Sequence, residues 1–515
     1  MHPGPVIYSL TTWAVSINLL LLKDFRRRNL SHKVFKLLQI VFVFVTSFVL
    51  LSACASAVTP MPEPTQPPAP TAVPPTSVPP IATAVPTTAT TNSCPEGLVT
   101  VKVHDWSSAD RQEYWDQVIK AFNSANPCIK AESVRLPDDR AVRLNELSTG
   151  IAPDLVGFDS SDLPRVAGIG YLADLTPLMA KDNFDPSKEF FDSVYKTGFV
   201  AGKPVALDKD YSVSAFYVNT DLLAKAGIDI PKEGWTYDDY LKLAQQLTVD
   251  TKDNNALSPD FDPKNVAVWG TSSPYSGGDT GWWRGFQSFL YSWGAHTITP
   301  DGKTTTGYIN SDKALAAWNW YRDLIHKYHV APSISFMGAS GVGNDTLFSD
   351  GKLAISGSFW GPWYQDTFNI APNLKWSAVP LPTGPGGHHA AIMWMGWGIN
   401  ARSKYPDQAW QLLKWLTTDP GQQVFALKAL TGDKTTATAM KQEKDPYWQV
   451  FLAEAPFQER LDDMATPFYT TCVDIPASQL MGKVFQDTGK ALDIKPELDK
   501  LAAEADRCLA ESRLQ

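Results

Sequence analysis

Blocks of hydrophobic and polar residues alternate along the chain in a pattern that predicts strands and helices in turn. Runs rich in β-branched residues at Leu98–Val103, Cys128–Val134 and Pro153–Phe158 are typical of strands. Between them, apolar residues recur at helical spacing over Asp110–Asn126, and a second helix is predicted over Asp139–Ser148. Strand–helix alternation of this kind predicts a parallel sheet with helices on both faces, so the expected fold class is α/β.

The alternation continues further along the chain. Leu207–Asp210 leads into an apolar strand predicted over Val213–Val218, and a short helix is predicted from Asp221 to Ala226. Thr236–Leu247 is predicted as a helix with Thr236 as its N-cap, because acidic residues fill the first turn. The polar segment 250–265 is predicted as a solvated loop, since its carboxylates miss the spacing of a calcium-binding loop.

Residues 1–53 have the features of a leader with an export signal. The segment Arg26–Lys36 is basic, an apolar run covers Leu37–Leu51, and small residues precede Cys54. The sequence Leu51-Ser52-Ala53-Cys54 resembles a bacterial lipobox, which implies lipidation of Cys54. A transmembrane anchor is the alternative, but the apolar run is shorter than the ~20 residues that a span prefers. Because the basic segment begins only at Arg26, either translation starts downstream of the first methionine or the leader is unusual.

Residues 54–93 are predicted to form a linker. Proline, threonine, alanine and valine dominate this stretch, and its Pro-Pro and Val-Pro pairs favour extended polyproline geometry over a packed core. A stalk directly after a lipidated cysteine lifts a folded domain, here residues 94–515, off a membrane surface. We therefore expect an extracytoplasmic protein that is lipid-anchored to the outer face of the cytoplasmic membrane.

The remaining four cysteines are an even number in an oxidising compartment, which favours disulfides. Four cysteines allow three pairings. Cys94 and Cys128 each precede a predicted strand, and neighbouring parallel strands would bring their starts together. We therefore predict the pairs Cys94–Cys128 and Cys472–Cys508. Metal binding is the alternative, but no Cys-x-x-Cys spacing is present.

Composition narrows the class of function. The length of 515 residues is too great for one compact core, so two or more lobes are expected. The net charge of -9 argues against nucleic acid as a partner. No Gly-x-Ser-x-Gly elbow or His-Glu-x-x-His motif occurs, so we expect no enzymatic activity, no catalytic residues, no cofactor and no metal site. The 18 tryptophans suit either cores or sites for amphipathic ligands.

Several stretches in fixed order resemble the family-1 extracellular solute-binding proteins, which include the maltose-type sugar binders of ABC importers. The resemblance spans roughly 98–429, and it rests on the order and spacing of motifs that are individually weak. These motifs are Trp106–Phe122 with Asn126-Pro127, Ala152–Asp159, Gly170–Pro177, Ala215–Gly227, Gly234–Asp239, Phe348–Ser358, Pro380–Gly386, Ile399–Ser403 and Ala409–Leu416.

This resemblance implies a periplasmic-binding-protein fold with two α/β lobes, hinge strands between them, and a ligand cleft. Lobe 1 is expected over about 94–207 and 394–445, and lobe 2 over about 212–392 and 447–515. The crossing strands are expected near Leu207–Ser212 and Met393–Ile399. The family also implies a monomer that captures a sugar-like small molecule and delivers it to the membrane permease subunits of an ABC importer.

A sugar site needs aromatic plates for C–H faces and carboxylates for pairs of hydroxyls. Trp106 and Asp159 each follow the end of a predicted strand, where open α/β sheets bind ligands. A core position is the alternative for Trp106, and capping of the next helix is the alternative for Asp159. Asp210 matches a cleft position of the family, although a salt bridge with Lys209 would explain either Asp208 or Asp210.

Three tryptophan pairs complete the predicted ligand site. Adjacent residues on a helix cannot both face one core, so at least one of Trp282 and Trp283 is expected to face the cleft or solvent. A turn rich in glycine and proline is expected to expose the aromatic faces of Trp360 and Trp363. Trp394 and Trp397 bracket Met395-Gly396 at the return crossing.

Other functions stay open on the sequence alone. The same fold could bind a glycerol phosphodiester, for which Arg284 offers a charge, or a polyamine, which would require more clustered carboxylates. A glycosidase also combines tryptophans with two carboxylates. A surface adhesin or sensor without a transporter is a further alternative.

Overall fold

The structure is a computed structural model, and it describes the folded domain with short gaps. The described residues are 94, 97–105, 112–135, 137, 140–160, 162–273, 281–358, 368–369, 371–419, 421–427, 429–486 and 490–513. Cys54, the leader and the linker lie outside these ranges, as do Trp106, Trp360 and Trp363.

Thirteen strands lie in the described ranges. They are β1 Val99–Asp105, β2 Ile129–Arg135, β3 Leu155–Asp159, β4 Phe199–Val200, β5 Lys203–Pro204, β6 Leu207–Val213, β7 Ala215–Asn219, β8 Val249–Asp250, β9 Val266–Thr271, β10 Leu353–Ser358, β11 Trp376–Val379, β12 Ala390–Ile399 and β13 Gln458–Arg460.

Eighteen α-helices accompany the strands within the described residues. They are α1 Gln112–Ala125, α2 Arg140–Thr149, α3 Leu163–Gly168, α4 Thr176–Lys181, α5 Pro186–Glu189, α6 Asp192–Tyr195, α7 Thr220–Lys225, α8 Tyr237–Leu247, α9 Gly281–Ser292, α10 Asp312–His326, α11 Ile334–Ser340, α12 Asn344–Ser349, α13 Pro406–Thr417, α14 Gln422–Ala426, α15 Lys434–Ala439, α16 Pro446–Glu454, α17 Ile475–Val484 and α18 Ile494–Ser512.

The first sheet has the order β13-β12-β3-β1-β2, and β6 pairs with the other edge of β12. Strand β1 runs parallel to both β2 and β3, which confirms the parallel arrangement predicted from the first three strand–helix units. Strand β12 is antiparallel to β3 and β6. Strand β6 therefore runs in the same direction as β1, β2 and β3, and β12 is a long antiparallel strand that arrives from later in the chain and lies between β3 and β6.

The second sheet has the order β11-β7-β10-β9-β8. The apolar run predicted as one strand over Val213–Val218 is divided between the two sheets, since β6 ends at Val213 and β7 begins at Ala215. Ser214 is thus the link through which the chain leaves the first sheet for the second. Strands β9 and β10 run parallel, so their carboxyl ends lie side by side.

Helix packing follows the sequence pattern. In α1, Trp115, Val118 and Phe122 are buried, and they pack in the same core cluster as residues of β1 and α13. Helix α8 begins with the predicted N-cap: the Thr236 hydroxyl accepts from the Asp239 backbone N–H, and the Asp239 carboxylate accepts from the Thr236 backbone N–H. This reciprocal pair satisfies two backbone donors that the first turn leaves without helical partners.

Both disulfides have the connectivity that the sequence favoured. Cys94 is bonded to Cys128, and Cys472 is bonded to Cys508. The first pair forms because Val99 of β1 and Ile129 of β2 are register partners, which brings the two preceding cysteines together. Within the described ranges, no helix is long and apolar enough to span a membrane.

Candidate functional site

Strand β12 brings two predicted carboxylates to one place. Met395 is the register partner of Asp159 on β3 and also of Asp210 on β6. Strands lie about 4.8 Å apart, so the two aspartate backbones are separated by roughly 10 Å, with Met395 between them. Residues directly opposite one another point to the same face of a sheet. All three side chains are partly exposed, whereas the residues flanking Met395 on β12 are buried.

Asp159 is the last residue of β3. The N-cap residue of the following helix α3 is Asp162, which makes no side-chain capping bond and pairs with Arg143 at 2.9 Å. Asp159 lies three residues before this N-cap. The Asp159 carboxylate stands at the carboxyl end of a parallel strand, where open α/β sheets place their ligands.

Asp210 forms the salt bridge that the sequence offered as an alternative. Its carboxylate accepts from Lys209 Nζ at 2.6 Å, and both side chains are mostly buried. The same ammonium lies 5.2 Å from the centre of the Phe425 ring. Lys209 therefore fixes the position of the Asp210 carboxylate, and the pair can offer both an acceptor and a donor.

The two tryptophans of β12 are core residues, and the prediction that they line the cleft is wrong. Trp397 is 0% exposed, donates from Nε1 to the His104 carbonyl at 2.8 Å, and stacks on Trp115. Trp394 is 1% exposed and meets Phe158 edge-on. Positions three apart on a strand point to opposite faces, and helices or loops cover both faces here. The lining residue of this strand is Met395, between them.

Gly396 explains how Trp394 fits against the sheet. A Cβ atom at this position would lie 2.2 Å from the Leu207 carbonyl oxygen and 2.6 Å from the Trp394 ring. The absence of a side chain therefore lets the indole fold back over β12. The register with β6 also shifts between Met395 and Gly396, which marks an irregularity beside the candidate site.

The second sheet contributes the carboxyl ends of β9 and β10. Ser272, just beyond β9, accepts from the Gly357 backbone N–H of β10 at 3.2 Å. Ser273 is fixed in turn by Asn344, whose side chain accepts from its N–H at 3.1 Å and donates to its carbonyl at 2.9 Å. Two strand ends are thereby held side by side, each at the start of a segment that carries predicted tryptophans.

Five predicted tryptophans belong to segments that follow strand ends. Trp106 comes directly after Asp105, the last residue of β1, whose carboxylate accepts from Gln112 at 3.2 Å. Trp282 and Trp283 lie in the first turn of α9, with side chains outside the described part of the structure. Trp360 and Trp363 follow β10 and lie outside the described residues. Their role in binding stays a prediction.

Asp208 is a second acidic residue of β6, and its environment differs from that of Asp210. It is 2% exposed, and neither carboxylate oxygen has a hydrogen bond of normal geometry to a described residue. Burial raises the pKa of Asp208 to about 7, and repulsion from Asp210 and Asp433 adds to the rise. Asp208 is thus a buried carboxyl with a raised pKa under the crossing strands, whereas Asp210 is partly exposed and paired with Lys209.

The described residues contain no group of three or more His, Cys, Asp or Glu side chains able to hold a metal ion. His388 and His389 are adjacent histidines, and each is paired with a carboxylate. His388 contacts Glu454 at 2.6 Å, and His389 is hydrogen-bonded to Glu459. These histidines hold the loop before β12 against the β13 region.

Comparison with known proteins shows the family to which this chain is similar. A family model described as bacterial extracellular solute-binding protein matches residues 105–423. A putative binding protein of Brucella abortus (strain 2308) is 26% identical over 344 residues, which cover 64% of this chain and 74% of that protein.

Two solved structures share the fold. An ABC substrate-binding protein from Listeria monocytogenes, in complex with cycloalternan, has a TM-score of 0.66 at 20% identity and covers 80% of this chain and 99% of its own. The sugar-binding protein MalE from the phytopathogen Xanthomonas citri has a TM-score of 0.66 at 18% identity, covering 81% of this chain and 98% of its own. The α/β architecture with two sheets joined by crossing strands is therefore the two-lobed binding-protein fold.

Proposed function

The chain belongs to the bacterial extracellular solute-binding protein family, and from this we propose that it binds a sugar or oligosaccharide between its two lobes. The observation that carries the proposal is the convergence of Asp159 and Asp210 on Met395, at the carboxyl edge of the first sheet. Two aspartates whose backbones lie about 10 Å apart on one face of the sheet suit hydroxyl groups at two points of a sugar ring or of a short oligosaccharide.

The side chains of Asp159, Met395 and Asp210, which form the floor of the proposed site, suit this ligand class. Carboxylates form charge-assisted hydrogen bonds with hydroxyls, and the Met395 side chain between them is an apolar, adaptable surface for C–H groups. Trp106, Trp282, Trp283, Trp360 and Trp363 supply the aromatic plates in this proposal. The named ligands of the two structural relatives, cycloalternan and sugar, are of the same class.

We further propose that the protein acts as the binding component of an ABC importer. Solute bound to one lobe draws the other closed by a hinge at β6 and β12, with lobe 1 over about 94–207 and 394–445 and lobe 2 over about 212–392 and 447–515. The closed form docks on the permease, and lipid at Cys54 keeps the protein near it. The solute is released unchanged, so the protein acts as a monomeric binder without enzymatic activity.

A titration of intrinsic tryptophan fluorescence tests the binding proposal. We expect a saturable change with maltose, maltotriose or another sugar, and a much smaller change in the Trp360→Ala variant, because closure transfers tryptophans from water into contact with the ligand. Spermidine and glycerophosphocholine serve as controls for the other ligand classes. A response to glycerophosphocholine alone would replace the sugar with a phosphodiester, and turnover of an oligosaccharide would contradict the non-enzymatic role.

Replacing either floor carboxylate by its amide tests the carrying observation. We expect Asp159→Asn and Asp210→Asn each to weaken sugar binding by about 10- to 100-fold, since one charge-assisted hydrogen bond contributes about 1.5–3 kcal/mol. Calorimetric titration measures the dissociation constants. The matched control is Asp407→Asn, which removes an exposed carboxylate on α13 and is expected to leave the affinity unchanged. Equal affinity for the sugar in all three variants would show that neither Asp159 nor Asp210 contributes to binding.

A further inference from the structure

Lys209 occupies a β-bulge beside the floor of the proposed site. Met395 and Gly396 are neighbours on β12. Their register partners on β6 are Asp210 and Asp208, which are two residues apart. Lys209 is therefore one extra residue inserted into β6, which is what defines a bulge. Bulges are over-represented beside active sites, where they re-aim a side chain.

The bulge brings the side chain of Lys209 to the same face of the sheet as Asp210. Register partners point to one face, so Asp210 shares the face of Met395. Neighbouring residues on a regular strand point to opposite faces, yet Lys209 Nζ lies 2.6 Å from Asp210 Oδ2. Asp208, as the partner of Gly396, points to the other face and is buried there.

The aromatic neighbour of Lys209 supports the same placement. Nζ lies 5.2 Å from the centre of the Phe425 ring, and the centroids of the Phe425 and Trp397 rings are 5.9 Å apart. Trp397 is two positions from Met395 on β12 and therefore lies on the face of the floor. Helix α14, which carries Phe425, is held at the bulge because Gln422 Nε2 donates to the Lys209 carbonyl at 2.8 Å.

The Lys209–Asp210 pair is mostly shielded from water but remains accessible. The two side chains are 12% and 13% exposed, so each keeps a small surface that a solute can reach. Hydrogen bonds to charged groups are the stronger kind, and they strengthen further where water is excluded. An ammonium group carries three N–H donors, whereas a carboxylate only accepts. Since a hydroxyl group both donates and accepts, hydroxyls of one sugar ring suit both members of the pair.

We propose that Lys209 is a specificity-determining residue of the cleft, whose ammonium group donates a hydrogen bond to a hydroxyl oxygen of the bound solute. Asp210 accepts from the same hydroxyl or from its neighbour on the ring. This inference rests on the proposed function, which supplies the sugar. The pair selects a solute with a donor and an acceptor side by side, as in a vicinal diol, and the charge of Lys209 repels a polyamine. Phe425 acts as a positioning residue through its cation–π contact.

A double variant separates direct contact from a role in positioning Asp210. In Asp210→Asn the carboxylate that Lys209 would position is already absent. Adding Lys209→Met to this variant is expected to weaken binding of maltose or maltotriose by about a further tenfold, as for one lost hydrogen bond to a charged group. Calorimetry measures both dissociation constants. The double variant is expected to fold, because removing both partners of an ion pair leaves no uncompensated charge.

Lys414 provides a matched control. Its ammonium group also pairs with a carboxylate, that of Asp182, and lies 5.8 Å from the centre of the Trp410 ring. These contacts join α13 to the end of α4 and involve no floor residue. Lys414→Met therefore removes the same two kinds of contact as Lys209→Met, and we expect it to leave the affinity for the sugar unchanged.

The outcomes separate this inference from the proposed function. Equal affinities of Asp210→Asn and the double variant, with a wild-type protein that binds sugar, would overturn the contact between Lys209 and the solute alone. Lys209 would then only position Asp210. An equal loss of affinity in Lys414→Met would also overturn it, since the effect would not be specific to the floor. A wild-type protein that binds only glycerophosphocholine, or no probe at all, would overturn the sugar proposal and this inference with it.

Discussion

Replacing Trp397 by alanine is expected to lower the free energy of unfolding by about 3–5 kcal/mol, the range for truncation of a buried tryptophan. The indole is 0% exposed and lies between Trp115 and Phe425, with ring centroids 5.9 Å away in both cases. Truncation would leave a cavity between α1 and β12. It would also remove the donor to the buried His104 carbonyl, which then lacks that hydrogen bond.

Trp397→Phe separates packing from binding. Phenylalanine keeps most of the apolar volume and loses the N–H, so we expect a smaller loss, about 1–3 kcal/mol. Guanidinium unfolding followed by circular dichroism gives the stabilities, and calorimetry gives the affinity of the folded variant for the sugar. A core residue changes stability and leaves affinity intact. The assignment to the core would be wrong if Trp397→Phe kept the wild-type stability but bound sugar at least tenfold more weakly.

Trp397 shows that the sequence predicts a strand but not which of its side chains face the cleft. The apolar run from Ala390 to Ile399 indicates a strand, and the resemblance indicates a crossing strand, both of which agree with β12. Which of its residues meets the cleft depends on what covers each face. Those covers are α1, α13 and the loops of the first sheet, and they come from segments far away in the chain. The larger side chains were therefore mistaken for the lining, and Met395 was missed.

The parts that could be predicted are those set by local pattern or by a neighbouring strand. The capping box at Thr236 depends on residues three apart, and the Cys94–Cys128 pair depends on two parallel strands that are adjacent in sequence. The different environments of Asp208 and Asp210 could not be predicted in this way, because positions two apart on a regular strand face the same side. The pairing of β6 with β12 shifts its register between these two residues, and Asp208 is buried while Asp210 is partly exposed.

The hydrogen bond between Gln287 and Asp462 lies beyond such reasoning. The two residues are 175 positions apart, so no local pattern connects them. Contacts between such distant segments are set by tertiary packing.

Replacing Asp208 by asparagine is expected to change how stability depends on pH. The pKa of this carboxyl is raised from 3.8 to about 7 in the folded protein, mainly by burial, and the difference corresponds to about 4 kcal/mol. Below pH 4 the folded and unfolded chains both carry the proton. Between pH 4 and pH 7 the unfolded chain releases it while the folded chain keeps it, so the stability falls as the pH rises. Above pH 7 the loss is complete.

The surroundings of Asp208 compensate its charge only in part at high pH, because the backbone N–H groups of Asp208 and Gly432 lower the pKa by less than burial raises it. The carboxylates of Asp210 and Asp433 repel its charge, the buried hydroxyl group of Tyr211 is close enough to feel that charge, and the Lys209 ammonium is committed to Asp210. Asparagine has nearly the same shape and does not titrate. Relative to the wild type, the stability of Asp208→Asn is therefore expected to rise by about 4 kcal/mol between pH 4 and pH 8.

Guanidinium unfolding at pH 4, 5, 6, 7 and 8 measures this difference, with Asp407→Asn as a surface control that should follow the wild-type curve. The comparison uses the change with pH, because burying an amide at this position shifts the stability equally at every pH. Parallel curves for wild type and Asp208→Asn would mean that the carboxyl is ionised or solvated in the folded state. A stability difference that moves in favour of Asp208→Asn as the pH rises would show that the folded protein keeps Asp208 as a neutral carboxylic acid below pH 7, next to the Lys209–Asp210 pair on β6.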